Sequence, residues 1–181
     1  MSRPPRVCVF FDRDGVVNRS PGPGYILAPE QFELNPGIAE ALRAVRRLGA
    51  LAVVATSQRG VGKGLMSAAD LDRIHARMAE LLAAEGASFD AIYAHTGLGG
   101  PGDHPAKPDP GMLLAAARDW SIDLSKSWLV GDADRDIEMG QAAGLAGTIR
   151  VVGEHPITTE AVHLVQSTME IPELLESVLK F

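Results

Sequence analysis

Short apolar runs recur along the chain, and each is followed by a polar, glycine-containing turn and then by a segment with helical spacing. The runs rich in β-branched or aromatic residues predict strands at residues 7–11, 51–56, 91–94, 127–130 and 147–151. Most of these runs lack polar/apolar alternation, as expected where helices cover both faces of a sheet. The pattern predicts an α/β fold built on a doubly wound, Rossmann-like parallel sheet with helices on both faces.

The segments between the strands show the 3.6-residue spacing of amphipathic helices. Helices are predicted at residues 38–47, 67 to about 85, from about 109–111 onward, 134–144 and 171–181. The second opens with Ser67 and Asp70 in the spacing of a capping box, and Gly86 ends it. No internal repeat or linker is visible, so residues 1–181 are expected to form a single domain.

The charge balance narrows the range of partners. The 17 Lys+Arg and 23 Asp+Glu give a formal net charge of -6, which argues against nucleic acid as a partner.

The apolar stretches are too short to cross a membrane, and the apolar run near the N-terminus is cut short by Asp12. Cys8 is the single cysteine, which excludes a disulfide framework or a cysteine-built zinc site. The single cysteine favours a reducing, cytoplasmic setting. No long exposed apolar patch is readable in the sequence, so a monomer is expected.

Polar residues stand directly after several predicted strands, where ligands bind in a doubly wound sheet. Candidate site residues lie in four places: Asp12, Asp14 and Asn18 after the first strand; Ser57, Gln58, Arg59 and Lys63 after the second; Lys107 before the third helix; and Asp132 and Asp136 after the fourth strand. Asp12, Asp14 and Asp132 are expected to converge, with no arginine in their spacing to compensate them. Carboxylates gathered in this way would repel one another without a cation, and oxygen ligands suit Mg²⁺. Ser57, turn N–H groups and Lys107 can then bind an anionic group.

These four clusters resemble, in order, the four motifs of the haloacid dehalogenase superfamily of phosphotransferases: Asp12-Arg13-Asp14-Gly15, Ser57, Lys107 and the stretch 131–136. The resemblance implies a phosphatase in which Asp12 is the nucleophile and Asp14 the general acid/base. It also implies that Mg²⁺ is held by the Asp12 carboxylate, the Asp14 backbone carbonyl and the Asp132 carboxylate, with Asp136 in support. Ser57 and Lys107 would hold the phosphoryl oxygens.

The intervals between the motifs leave no room for a separate cap domain. Within the superfamily the chain is most similar to the D-glycero-D-manno-heptose 1,7-bisphosphate phosphatases and to histidinol-phosphatase domains. Those families usually carry a cysteine-built zinc loop before the basic motif, and here that region contains no cysteine, so no structural zinc is expected. The arginine that the family has before the lysine is Ala106 here, which removes a bidentate anion contact. A sugar phosphate, histidinol phosphate or another small ester all stay open as substrates.

Several simpler interpretations remain open. Ser57 can cap a turn, and Asp134 is expected to cap the fourth helix. Arg59 and Lys63 can bind a second phosphate or a sugar hydroxyl, or they can be plain surface charges. The group His95, Asp103 and His104 forms a weak candidate metal site, and His75 is expected to be structural or solvated. A function of a different class, a phospho-accepting regulatory domain, also combines a doubly wound sheet with an acidic cluster, Mg²⁺ and a lysine.

Overall fold

The structure is a computed structural model that describes residues 4–179. Its described part contains one six-stranded sheet in the order β3-β2-β1-β4-β5-β6, in which all neighbouring strands run parallel. The strands are β1 (Cys8–Phe11), β2 (Leu51–Ser57), β3 (Ala91–His95), β4 (Trp128–Gly131), β5 (Gly147–Val151) and β6 (His163–Val165). The predicted doubly wound parallel sheet is confirmed.

Five α-helices of the described residues flank the sheet: α1 (Ile38–Arg47), α2 (Ala68–Ala84), α3 (Gly111–Trp120), α4 (Asp134–Ala142) and α5 (Ile171–Val178). The capping box predicted for the second helix is present, with the Ser67 hydroxyl accepting from the Asp70 N–H and the Asp70 carboxylate accepting from the Ser67 N–H. The fourth helix ends two residues before the predicted Gly144. The predicted closing helix ends at Val178 rather than 181, and Lys180 and Phe181 lie outside the described residues.

Each face of the sheet carries its own hydrophobic core. Alternate residues of β1 point to opposite sides: Val9 and Phe11 join the core that includes α1, α2 and α5, whereas Cys8 and Phe10 join the core that includes α3. All four residues are fully buried. Because both faces are covered, both sets of alternating side chains must be apolar, which explains the missing alternation.

The strand β6 was not predicted from the sequence. It has three residues and lies at the edge of the sheet, and its central Leu164 is 54% exposed. So short a run, with one apolar side chain in solvent, has no periodicity to detect. Its contribution is to extend the sheet beyond β5 and to return the chain to α5.

The strand order places a crevice at one edge of the sheet. The chain builds outward from β1 through β2 to β3 and then returns to the other side of β1 with β4. Loops after β1 and β4 therefore leave the carboxyl edge in opposite directions, and ligands bind at such points in open α/β sheets. Within residues 4–179, no helix combines the length and apolar character needed to cross a bilayer.

Candidate active site

Three buried aspartates meet at the carboxyl ends of β1 and β4. Asp12 follows β1, and Asp132 and Asp136 follow β4, which pairs directly with β1. The Asp12 N–H donates to the Val130 carbonyl at 2.9 Å, which extends the strand pairing to the site. One carboxylate oxygen from each aspartate lies within 4.8 Å of the other two, and all three residues are buried. The arrangement concentrates negative charge where the fold forms its crevice.

Within the described part of the chain, Lys107 is the cationic residue that contacts this cluster most closely. Its ammonium group donates to Asp12 Oδ1 and to Asp136 Oδ1, both at 2.7 Å, and its side chain is 1% exposed. Three carboxylates and one ammonium leave a formal charge of -2 when all are ionised. The cluster therefore has the charge that one divalent cation would neutralise.

The electrostatics of the cluster follow from burial and crowding. Burial, followed by the charge of Asp136, raises the pKa of Asp12 well above its usual range and raises the pKa of Asp132 to about 6. Burial alone would lower the pKa of Lys107, but Asp12 and Asp136 raise it overall. Asp132 Oδ1 is buried without a hydrogen-bond partner. An unpaired buried oxygen among like charges is the chemistry expected of a ligand to a cation.

Two glycines make the close approach of the carboxylates possible. A Cβ on Gly15 would stand 1.9 Å from Asp132 Oδ2, and Gly15 has a φ of +88°, which disfavours other residues. A Cβ on Gly131 would stand 2.3 Å from the Cβ of Asp136. Any side chain at either position would displace a cluster carboxylate.

The expectation that Asp14 joins Asp12 and Asp132 is wrong for its side chain. The Asp14 carboxylate accepts hydrogen bonds from Arg13 Nη2, Asn18 Nδ2 and Gln58 Nε2, each at 3.0 Å. The expectation that no arginine compensates the aspartates is also wrong, because Arg13 pairs with Asp14. Asp136 takes the third place in the cluster.

Gln58 and Asn18 are oriented inward, in conflict with the prediction that they contact a substrate. Both are fully buried. Gln58 Nε2 donates to Thr56 Oγ1 at 2.8 Å as well as to Asp14, and Asn18 Nδ2 donates to the Arg19 carbonyl at 2.9 Å. The side-chain amide N–H groups of Gln58 and Asn18 both donate to the Asp14 carboxylate, so they hold the loop after β1 in place.

A pocket of about 220 Å³ opens beside Asp14. Ser57 and Arg59 line it, together with Arg135, His155 and the loop of residues 20–25. Lys63 is exposed, and its ammonium lies 5.3 Å from the centre of the Tyr25 ring.

Sequence reasoning missed Arg135 and His155. His155 Nε2 lies 3.9 Å from Asp132 Oδ2, so its imidazole borders both the pocket and the acidic cluster. The signal for Arg135 was its place inside the acidic motif, between Asp134 and Asp136. His155 stands in the loop after β5, and nothing in its local spacing points to the site.

The prediction that Asp134 is the N-cap of α4 is wrong. The N-cap is Ala133, whose N–H donates to Asp136 Oδ2 at 3.0 Å, so Asp136 serves both the helix start and Lys107. Asp134 instead accepts from the Thr158 hydroxyl and from the buried Arg150 at 2.9 Å. The pKa of Asp134 is lowered to about 2 by its hydrogen bonds, and the bond from the Thr158 hydroxyl has the largest effect. This contact ties the loop after β5 to the start of α4 and so holds His155 at the pocket.

The loop that carries His95, Asp103 and His104 is closed by hydrogen bonds. Asp103 accepts from the N–H groups of Thr96 at 2.7 Å, Gly99 at 2.8 Å and His104 at 3.0 Å. His95 Nδ1 lies 2.6 Å from the His104 carbonyl oxygen. Among residues 4–179, the cluster of Asp12, Asp132 and Asp136 is the one group of this kind with metal-binding spacing. The three loop residues therefore organise the loop through its own backbone.

A larger cavity of about 730 Å³ lies at the opposite edge of the sheet, next to Arg6, Leu48 and Trp128. It is far from the acidic cluster along the strands, since Arg6 precedes β1 and Trp128 begins β4. The chemistry-bearing residues gather at the smaller pocket, and size alone does not locate the site.

Comparison with known proteins agrees with this geometry. Residues 16–144 match the haloacid dehalogenase-like hydrolase family. The chain belongs to this family. It is 39% identical over 150 residues to the D-glycero-α-D-manno-heptose-1,7-bisphosphate 7-phosphatase of Burkholderia mallei, covering 79% of this chain and 78% of that protein. It is also 39% identical over 160 residues to the D-glycero-D-manno-heptose-1,7-bisphosphate 7-phosphatase of Thermosynechococcus vestitus, covering 82% of this chain and 81% of that protein.

A solved structure of another phosphatase is similar to this chain along nearly its whole length. The D,D-heptose 1,7-bisphosphate phosphatase of B. bronchiseptica superposes with a TM-score of 0.80 at 29% identity, covering 94% of this chain and 98% of that one. That crystal holds magnesium and phosphate. The predicted family, fold and class of phosphoric monoester hydrolase are confirmed.

Proposed function

We propose that this hydrolase removes a phosphate group from a sugar bisphosphate, most similar to D-glycero-D-manno-heptose 1,7-bisphosphate, through an aspartyl-phosphate on Asp12. The observation that carries the proposal is the position of Asp12 at the end of β1. Its Oδ1 lies 2.7 Å from the Lys107 ammonium, beside the carboxylates of Asp132 and Asp136. A buried carboxylate next to a cation that can also bind phosphoryl oxygens is suited to attack at phosphorus.

The acidic cluster fits Mg²⁺ as cofactor. Support comes from the formal charge of -2, the raised pKa of Asp132 and the unpartnered Asp132 Oδ1. Asp12 and Asp132 would hold the ion through carboxylate oxygens and Asp14 through its backbone carbonyl, with Asp136 in support. When bound, the ion would draw negative charge from the phosphoryl oxygens and so make phosphorus easier to attack.

The chain's own residues would carry the bond changes. Asp12 forms a bond to phosphorus as the bond to the substrate alkoxide breaks, and Asp14 gives the alkoxide its proton. Asp14 then takes a proton from a water molecule, the water oxygen bonds to phosphorus, and Asp12 departs as a carboxylate with release of inorganic phosphate. Ser57 and Lys107 hold phosphoryl oxygens during both steps.

The rim of the pocket favours a substrate with a second anionic group. Arg59, Arg135 and His155 surround the space next to Asp14 and Ser57. Two guanidinium groups and an imidazole can bind a second phosphate several atoms away from the first. This position for Arg59 supports its predicted role in substrate binding, whereas Lys63 stays a candidate at the outer edge, beside Tyr25.

A panel of phosphate esters tests the substrate. The α and β anomers of heptose 1,7-bisphosphate, histidinol phosphate and several sugar monophosphates would be compared by kcat/KM with Mg²⁺ and with a chelator. We expect the highest kcat/KM for a heptose bisphosphate and loss of turnover with the chelator. A higher value for histidinol phosphate would replace the substrate, and no phosphate release from any ester would refute the proposed activity.

The phospho-accepting regulatory domain is the alternative of a different class. Receiver domains of that class have the strand order 2-1-3-4-5, which differs from the β3-β2-β1-β4-β5-β6 order here. A phosphorylated protein stable for hours would favour that alternative, whereas Asp14 as a general base predicts rapid hydrolysis. The cytoplasmic setting, the monomeric state and the absence of a nucleic-acid partner stay predictions.

A further inference from the structure

A fully buried guanidinium stands behind Asp14. Arg13 Nε and Nη2 donate to Asp14 Oδ1 at 3.1 and 3.0 Å, so two nitrogens of the fork bind the same carboxylate. The remaining partners fix the guanidinium itself: Nη2 donates to Gln58 Oε1 at 3.0 Å, and Nη1 lies 3.2 Å from His75 Nε2. The ring of Phe32 lies 6.0 Å from the guanidinium carbon. Arg13 is 0% exposed, so it cannot reach a substrate from this position.

The two oxygens of Asp14 are held unequally. Oδ1 accepts from both Arg13 nitrogens and from Asn18, which fills its acceptor capacity. Oδ2 accepts from Gln58 at 3.0 Å and has a longer contact to Arg13 at 3.3 Å. Oδ2 is therefore the oxygen with capacity left for a proton. The Asp14 side chain is 21% exposed and lines the pocket with Ser57.

His75 reaches this network from the middle of α2. The flanking Ile74 and Met78 are buried in the core, which anchors that turn of the helix against the sheet. Burial, followed by the charge of Arg13, lowers the pKa of His75 to about 4, so near neutral pH the imidazole is uncharged. A neutral imidazole can accept the Nη1–H of Arg13 through Nε2.

We propose that Arg13 is a positioning residue for Asp14 and that His75, acting through Arg13, sets the direction in which Asp14 presents Oδ2 to the pocket. The inference rests on the proposed role of Asp14 as general acid/base. The guanidinium contacts both carboxylate oxygens, Oδ1 through Nε and Nη2 and Oδ2 through Nη2 at 3.3 Å, and this contact restricts the plane of the carboxylate in a way that a single ammonium cannot. The partners of Arg13 on two other elements then fix the guanidinium, so the loop after β1, the turn after β2 and helix α2 together determine one oxygen's position.

The inference makes a prediction that depends on the leaving group. An alkoxide leaving a sugar phosphate needs a proton, whereas 4-nitrophenolate leaves with little assistance. Misplacing the acid should therefore slow formation of the phosphoenzyme from the sugar ester and leave that from 4-nitrophenyl phosphate nearly unchanged. General damage to the site would slow both reactions alike.

The experiment compares Arg13→Lys with Asp14→Asn in single-turnover quench measurements on both esters. For Arg13→Lys we expect the first-turnover rate on the sugar ester to fall about 10²-fold, with KM unchanged, because a misplacement of about 1 Å costs that much. The rate on 4-nitrophenyl phosphate should fall less than about threefold. Asp14→Asn should show the same selectivity, and if it does not, the proposed role of Asp14 fails independently of Arg13.

The variants of His75 test the same idea if Arg13→Lys does not fold. His75→Leu removes the acceptor, and His75→Gln retains one, so the leucine variant should lose rate selectively on the sugar ester and the glutamine variant should recover most of it. Arg77→Leu, on an exposed part of the same helix, is the control and should leave both rates unchanged. Equal losses of rate on the two esters would overturn the inference. It would also be overturned if His75→Leu had a normal rate on the sugar ester and Arg13→Lys were folded and fully active.

Discussion

Lys107 offers the sharpest test of the charge balance in the site. Its side chain is 1% exposed, and its ammonium contacts Asp12 and Asp136 at 2.7 Å each. In Lys107→Met, three buried carboxylates would face one another with no ammonium between them. Removing one partner from a buried ion pair costs about 3–5 kcal/mol, and we take the lower end because the raised pKa of Asp12 eases its protonation. For a chain of 181 residues, about 3 kcal/mol corresponds to a Tm lower by about 6–12 °C.

The same variant predicts a change in the response to Mg²⁺. Without Lys107 the formal charge of the cluster falls from -2 to -3, so a divalent cation should bind more tightly and stabilise the folded state more. Thermal unfolding followed by circular dichroism, with and without Mg²⁺ at about pH 8 where Asp132 is ionised, measures both effects. Turnover should be lost in either condition because the phosphoryl oxygens lose a donor.

Lys126→Met is the matched control. Lys126 is 69% exposed and lies 3.7 Å from Asp123, so its removal should change the free energy of unfolding by no more than about 0.5 kcal/mol. A Tm of Lys107→Met equal to that of the control would contradict the charge balance described for the cluster. A rise in the Tm of Lys107→Met with Mg²⁺ no larger than that of the wild-type protein would contradict it as well.

Three further predictions address other parts of the molecule. Gly15→Ala should lower kcat/KM by at least about 10²-fold, because its Cβ would displace Asp132, whereas Gly49→Ala, which has a similar positive φ and open space, should keep full activity in the same assay. Partial burial raises the pKa of Asp103, but hydrogen bonds from three backbone N–H donors outweigh the effect of burial and lower the pKa to about 2. Asp103 therefore stabilises the fold above its ordinary pKa, and the Tm advantage over Asp103→Asn should shrink as pH falls from about 4 to 2; a constant difference would count against this. Leu113→Ala, at a fully buried position, should lower the free energy of unfolding in urea by about 2–5 kcal/mol, and a loss below about 1 kcal/mol would contradict the packing described for α3.

The main elements of the fold could be predicted because their signals are local. The strand β1 is a continuous apolar run, and its four residues divide between two cores, so both the strand and its burial follow from the sequence. The short edge strand β6 could not be predicted, since its formation depends on pairing with β5 and not on its own pattern.

The residue positions of the site were accessible from sequence, but the directions of the side chains were not. Asp12, Asp132 and Lys107 could be placed together because they follow strands or precede a helix at one edge of the sheet. The exchange of Asp14 for Asp136 in the cluster depends on side-chain geometry: the loop after β1 turns Asp14 toward the guanidinium of Arg13. A spacing of two residues does not reveal that turn.

The central claim is that Asp12 becomes phosphorylated during turnover. The direct measurement is to quench the Mg²⁺-loaded enzyme in acid within its first turnover on a good sugar phosphate, reduce the denatured protein with borohydride and map the product by peptide mass spectrometry. Reduction converts an aspartyl-phosphate to homoserine. We expect homoserine at position 12 in the wild-type protein and none in Asp12→Asn. Homoserine at another aspartate, or full turnover with none at position 12 at any quench time, would contradict it.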